Sequence, residues 1–150
     1  QAEVLYAISP ADMVAILDDL GLAHEYLGDS TNDFLVTTSN GFKFGVFLTV
    51  CDLPDQPLGC LGIELLASWG VDAGKEDLAA QKANDFNATM SLVKTYSIDG
   101  DGIYMQRYVI LDQGVTSDHI NDQISEFLGM SVNFAEAINE ATGMTLNGGM

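Results

Sequence analysis

Two cysteines and eight residues between them, CDLPDQPLGC at residues 51–60, are the first stretch whose types and spacing could do chemistry. A zinc site needs four ligands at suitable spacing. The two histidines, His24 and His119, are both distant in the chain. A redox dithiol favours Cys-x-x-Cys at a helix start, which this is not. Two readings remain: a pair of reduced thiols in a cytosolic loop, or a disulfide across the loop mouth. The disulfide is preferred, because Cys51 ends one strand-like run and Cys60 begins the next. Antiparallel pairing of those runs brings the thiols within bonding reach. Closing such a loop stabilises by about 2.7 kcal/mol in the chain-entropy model. A lasting disulfide implies an oxidising compartment, in a bacterium the periplasm or the exterior.

The other polar constellations are weaker. Asp99-Gly-Asp-Gly102 offers carboxylates, but a calcium loop needs further oxygen ligands and a closing Glu. Ile103, Tyr104 and Met105 follow instead, so a turn is expected. Asn84 and Asn87, with Phe86 between them, lie three apart on one helix face and are candidate binding residues. Such amides more often bond to nearby backbone. Together with Asp99 they define the alternative function, a small-ligand protein or enzyme with an acidic and amide pocket. Trp69 and Phe47 are candidate interface anchors, Trp69 by default in a core or an interface. No Gly-x-Ser-x-Gly elbow, phosphate loop or dinucleotide fingerprint occurs. Neither an enzyme, a cofactor nor a bound metal is expected.

Charge excludes further classes. The chain has 22 acidic and five basic residues, a formal net charge of −17, and its Lys and Arg side chains are scattered singly. Nucleic-acid binding relies on clustered cations, so none is expected. Solubility or adaptation to salt accounts for the acidity most simply, and attraction to a basic partner is the sharper reading. No apolar run approaches the roughly 18 residues of a membrane span, so no insertion is expected. Gln1-Ala2-Glu3 fits either a trimmed chain or the new end left by signal-peptide removal.

The elements that must position these residues follow from pattern. Ser9-Pro10-Ala11-Asp12 starts a helix with a capping box, and Gly21 closes it. Strand character follows at 23–28, 34–38 and 42–50, with Asn40-Gly41 as a hairpin signal. Phe42, Phe44, Val46, Leu48 and Val50 share one face, and Phe47 lies opposite. Residues 61–69 read as a strand with Ile63, Leu65 and Ala67 on one face. Residues 76–90 read as a helix whose apolar stripe is Leu78, Ala79, Ala83, Phe86 and Met90. Two strands, 92–98 and 103–111, flank the Asp-Gly turn. Thr116 or Ser117 then caps a long helix with Ile120, Ile124, Phe127, Leu128, Phe134 and Ile138 on its buried face. The expected order is α-β-β-β-β-α-β-β-α, an α+β antiparallel sheet. One domain over 1–150 is expected, with its core at about 9–138 and a flexible tail at 142–150. Three helices can cover one side of such a sheet, so the other needs a partner or stays wet. A two-fold homodimer is the commonest cover.

These features in this order resemble the YbjN-domain proteins, labelled bacterial sensory transduction regulators. The resemblance runs from about residue 12 to 138. It is carried by the Cys51 and Cys60 pair leading into an apolar strand, and by Asn84-Asp-Phe-Asn87, similar to the family's Asn-x-Trp-Asn with Phe86 in place of Trp. Tyr96-Ser-Ile-Asp-Gly-Asp-Gly102 and Leu111-Asp-Gln-Gly-Val115 complete the match. The resemblance implies a fold like that of type III secretion chaperones, which commonly dimerise and bind other polypeptides. It implies no enzymatic activity, and members with a similar cysteine pair often look exported. A non-catalytic, exported module binding a protein or peptide partner is the resulting expectation.

Overall fold

The structure is a computed structural model and describes residues 3–146. Eleven elements follow in chain order: β1 (Val4–Leu5), α1 (Pro10–Asp19), β2 (Ala23–Tyr26), β3 (Asp33–Thr37), β4 (Lys43–Cys51), β5 (Cys60–Trp69), α2 (Glu76–Thr89), β6 (Lys94–Ile98), β7 (Gly102–Ile110), β8 (Val115–Thr116) and α3 (Ser117–Thr142). Six strands form one sheet in the order β2-β3-β4-β5-β7-β6. Every neighbouring pair in it is antiparallel. The expected α+β order is present, with two additional strands of two residues each. These, β1 and β8, pair with one another. Such short strands carry no period that a sequence pattern can reveal.

Local chemistry sets the helix ends. The Ser9 hydroxyl accepts the Asp12 N–H at 3.1 Å, and the Asp12 carboxylate accepts the Ser9 N–H at 3.0 Å. At the far end of α1, Gly21 takes φ +69°. Its N–H bonds Asp18 O, and the Leu22 N–H bonds Leu17 O. This pair of bonds satisfies the last carbonyls in a Schellman closure. Thr116 caps α3 through its side chain.

Strand pairing puts Phe34, Val36, Phe44, Val46, Leu48, Ile63, Leu65, Ala67, Trp69, Ile103, Met105 and Val109 on one face. All are buried, in one apolar cluster with the inward residues of the three helices. Rings interlock across the layers: Phe44 meets Phe127 at 5.6 Å, and Phe134 lies 5.6 Å from Trp69 and 5.1 Å from Phe86.

Three details depart from the sequence expectation. Val50 leaves the inner face: its φ is +56°, which turns the strand end outward and leaves the side chain exposed. Leu78 is exposed too, and α2 buries Ala79, Ala83 and Phe86 instead. Two residues placed in the expected tail are held against α3. Thr142 is buried and donates to Ile138 O at 2.7 Å, and the Leu146 N–H bonds Asn139 Oδ1 at 2.7 Å. The rest of the expected tail, residues 147–150, lies outside the described residues.

Cys51 and Cys60 are direct cross-strand partners and are joined in a disulfide. Both backbone groups of Cys60 are taken by Ile8, at 2.9 and 2.8 Å. The cysteines therefore face one another as a non-hydrogen-bonded pair, the arrangement that brings side chains closest. Inside the clamp, Asp52 Oδ1 accepts the Gly59 N–H at 2.8 Å, and the Gln56 amide donates to Val50 O and Gly59 O. Reduction should lower the unfolding free energy by about 2.7 kcal/mol in a denaturant titration. Alkylation of the unreduced, denatured protein from its native compartment should label no cysteine. Two labelled cysteines there would remove the inference of an oxidising compartment.

Candidate functional site

The outer face of the six-stranded sheet carries no helix. Alternation along the strands sends to it Leu35 from β3, Lys43 and Phe47 from β4, Glu64 and Leu66 from β5, and Tyr104, Tyr108 and Ile110 from β7. Lys94 and Tyr96 of β6 join them. Phe47, Leu35 and Leu66 are half-buried by their strand neighbours, while Tyr108 and Ile110 are exposed. Tyr96 and Tyr104 stack at 5.2 Å with planes 10° apart. The Tyr108 hydroxyl and Thr49 Oγ1 hydrogen-bond at 2.6 Å. They meet above Gly62, where a Cβ would lie 1.9 Å from that hydroxyl. Only glycine lets the ring lie down across the strand there. The result is a broad, shallow surface of rings and aliphatic side chains, with Glu64 set among them between Phe47 and Tyr108 and with Asp33, Lys43 and Lys94 towards its margins. Such a surface contacts polypeptide better than it encloses a small molecule.

The other candidates part company. Trp69 and Phe86 are 5% and 7% exposed and pack against Phe134, so both belong to the core. Asn87 does hold backbone. Its Oδ1 accepts the Thr95 N–H at 2.8 Å and its Nδ2 donates to Thr95 O at 2.7 Å. The carboxamide thereby occupies the outer edge of β6 as a neighbouring strand would, blocking further pairing at that point. Asn84 is exposed, and its side chain makes no hydrogen bond among the described residues. Asp99 lines a depression of about 260 Å³ with Gly70, Glu76, Ser97 and Asp101, and neither Asn84 nor Asn87 reaches it. The pocket that would combine these three residues is not formed. Asp99-Gly-Asp-Gly102 closes the β6–β7 hairpin, and the Asp101 carboxylate takes the Tyr104 hydroxyl. His24 bonds Asp18 at 2.9 Å, with no hydroxyl or thiol side chain joining the pair among the described residues. A larger depression, about 510 Å³, opens between Phe42, Trp69 and the α3 residues Ser131, Ala135, Glu136 and Asn139. Sequence reasoning missed it, because it depends on how the β3–β4 turn meets α3.

These observations define a small α+β protein with a one-sided sheet and an open aromatic face. The sequence profile of the YbjN family, described as "Putative bacterial sensory transduction regulator", matches residues 9–140, and the chain belongs to that family. A solved structure, "Crystal structure of YbjN, a putative transcription regulator from E. coli", is similar in fold. It aligns over 96% of this chain and 97% of that one, at a TM-score of 0.64 and 17% identity. No curated protein matches the chain in sequence.

Two measurements test the site's local chemistry. Asn87→Ala leaves the Thr95 N–H and C=O without their partners beside a buried side chain. It should cost about 2–3 kcal/mol in denaturant unfolding. The tyrosines supply a pH test. The Tyr104 hydroxyl, bonded to Asp101, has its pKa raised, chiefly by that hydrogen bond. Burial, then Glu64, raises that of Tyr96. A raised folded pKa means the native state holds the proton longer than the unfolded chain does. Their contribution to stability is thus complete below pH about 10 and lost above it. Tyrosinate absorbance should show late-titrating components from Tyr96 and Tyr104, and Tyr104→Phe should remove one of them.

Proposed function

We propose that this chain is a non-catalytic regulatory module, exported to the periplasm or cell exterior, that meets polypeptide through the outer face of its sheet. Its resting partner is a second copy of itself. The observation that carries this reading is the run of Leu35, Phe47, Leu66, Tyr104, Tyr108 and Ile110 on a face no helix covers. Because the face carries both Lys43 and Lys94 and both Asp33 and Glu64, a two-fold arrangement can set opposite charges against one another. The disulfide supports the oxidising compartment. The printed description of the family supports a regulatory role.

Two subunits at −17 each repel, so the contact draws on the apolar side chains of the face and tightens as salt screens the charges. Light scattering on a sized sample should report a dimer whose dissociation falls between low and moderate salt. Leu66→Glu, at a half-buried outward position, should give a folded monomer. A wild-type monomer at high micromolar concentration in both salts would exclude the homodimer and leave the face to a different polypeptide.

A further inference from the structure

The loop from Val50 to Cys60 holds three of the four non-glycine residues with positive φ among the described residues: Val50 at +56°, Asp52 at +51° and Asp55 at +67°. For a β-branched residue such as Val50 that conformation is an outlier, and it persists only where the surroundings over-determine it. Here they do. Besides the disulfide, the Asp52 N–H donates to Gly59 O at 2.9 Å, and the Gly59 N–H donates to Asp52 Oδ1 at 2.8 Å. The Gln56 amide bridges Val50 O and Gly59 O at 3.0 and 2.9 Å. Residues 7–8 press against the same loop, so closely that a Cβ on Gly59 would lie 2.9 Å from Ile8 O.

This fixed loop holds apolar side chains out in water. Leu58 is 90% exposed, the highest value among the described large apolar side chains, and Leu53 and Val50 are exposed with it. Ile110, also exposed, stands opposite Gly62, two residues along β5 from Cys60. A single exposed leucine needs no explanation. Two on a loop with this many fixed points form a prepared contact. The charges beside them are of one sign. Asp52 and Asp55 are the loop's charged residues, and Asp112 follows Leu111, whose N–H bonds Leu61 O. No Lys or Arg occurs in residues 1–42, 44–74 or 108–150, so the segments that meet at this end bring none. Lys43 opens β4 at its other end. Arg107 is turned to the helix side, where Gln123 and Leu92 O take its donors.

We propose that the loop closed by the disulfide is a docking tip for a polypeptide segment whose apolar side chains are flanked by Lys or Arg. The tip is a second surface, separate from the Leu35, Phe47 and Leu66 face through which two copies meet, and it goes beyond that self-association. Charge selects the occupant. A second copy would bring the same carboxylates to the tip and be repelled, and an anionic lipid surface would be repelled as well. A cationic segment is drawn in, and the net charge of −17 speeds its approach. Because the loop is already fixed, little ordering opposes the burial of Leu53 and Leu58 against the incoming side chains.

The test is a titration of the ¹⁵N-labelled protein, followed by amide shifts, with a synthetic peptide alternating Leu and Lys. Peptides alternating Leu with Glu and Ser with Lys serve as controls. Saturable shifts centred on residues 50–60 are expected with the Leu-Lys peptide alone. Leu58→Ser should weaken that binding by about tenfold. At 90% exposure the substitution does not threaten the fold. Leu78→Ser, at an exposed leucine of α2, should leave binding unaltered. Equal binding of the Ser-Lys peptide, or an equal loss with Leu78→Ser, would overturn the proposal. Shifts at Leu35, Phe47 and Leu66 in place of the loop would overturn it too, while leaving the outer face as a polypeptide site. Cosedimentation with phosphatidylcholine vesicles that depends on Leu58, without peptide shifts, would reassign the tip to lipid and overturn it equally. Light scattering reads the homodimer separately, so a monomer that binds the peptide at the loop would remove the dimer and support the tip.

Discussion

Burial of Phe134 is the contact on which the layering depends. The ring is fully buried and touches Trp69 of β5 and Phe86 of α2 at once, so a single side chain on α3 ties the sheet to a second helix. Burying a phenylalanine stabilises by about 2–3 kcal/mol. Its position matters more than that figure, because it joins α3, some 39 Å long at 1.5 Å per residue, to β5 and α2 at one point. With α3 held there, α1 and α2 fill the same side and the core closes on one face of the sheet. The other face is left uncovered as a direct consequence.

A sheet covered on one side has two exposed hazards, its free face and its edges, and this chain handles them differently. At the β6 edge, Asn87 fills the hydrogen-bonding positions of Thr95 from a helix, and the Thr95 hydroxyl bonds Ala83 O at 2.7 Å. Strand addition there is blocked by a side chain that imitates a strand. At the other edge, β2 is short and carries His24 and Glu25, a common means of discouraging pairing. Nothing comparable is done on the outer face, where Tyr108 and Ile110 remain exposed. Protection of the edges beside an unprotected face favours association face to face over strand addition, and so bears on the kind of partner the chain accepts.

Much of this was legible in the sequence where the signal is local. The Ser9 capping box, the Asn40-Gly41 hairpin, the Thr116 cap and the alternation in β4 and β5 involve residues within a few positions of one another, and each is present. The pairing of Cys51 with Cys60 was legible because the strands they terminate must be neighbours. Features made by residues distant in sequence were not legible. The ribbon of β1 with β8 pairs residues 4–5 with residues 115–116, two residues from each. Arg107 of β7 reaches Gln123 on α3. Trp69 and Phe86 read equally well as core or interface, since an aromatic residue's partner is a matter of packing. The structure puts both inside.

The acidity of the chain gains a physical role from this arrangement. An uncovered face of rings and aliphatic groups would associate without selection if the protein were near neutral, because apolar contact is non-directional. A formal charge of −17 opposes every encounter between copies, so only a contact that buries enough apolar area in register, or that sets Lys43 and Lys94 against carboxylates, overcomes the repulsion. Charge of this kind sets specificity and encounter rate more than affinity.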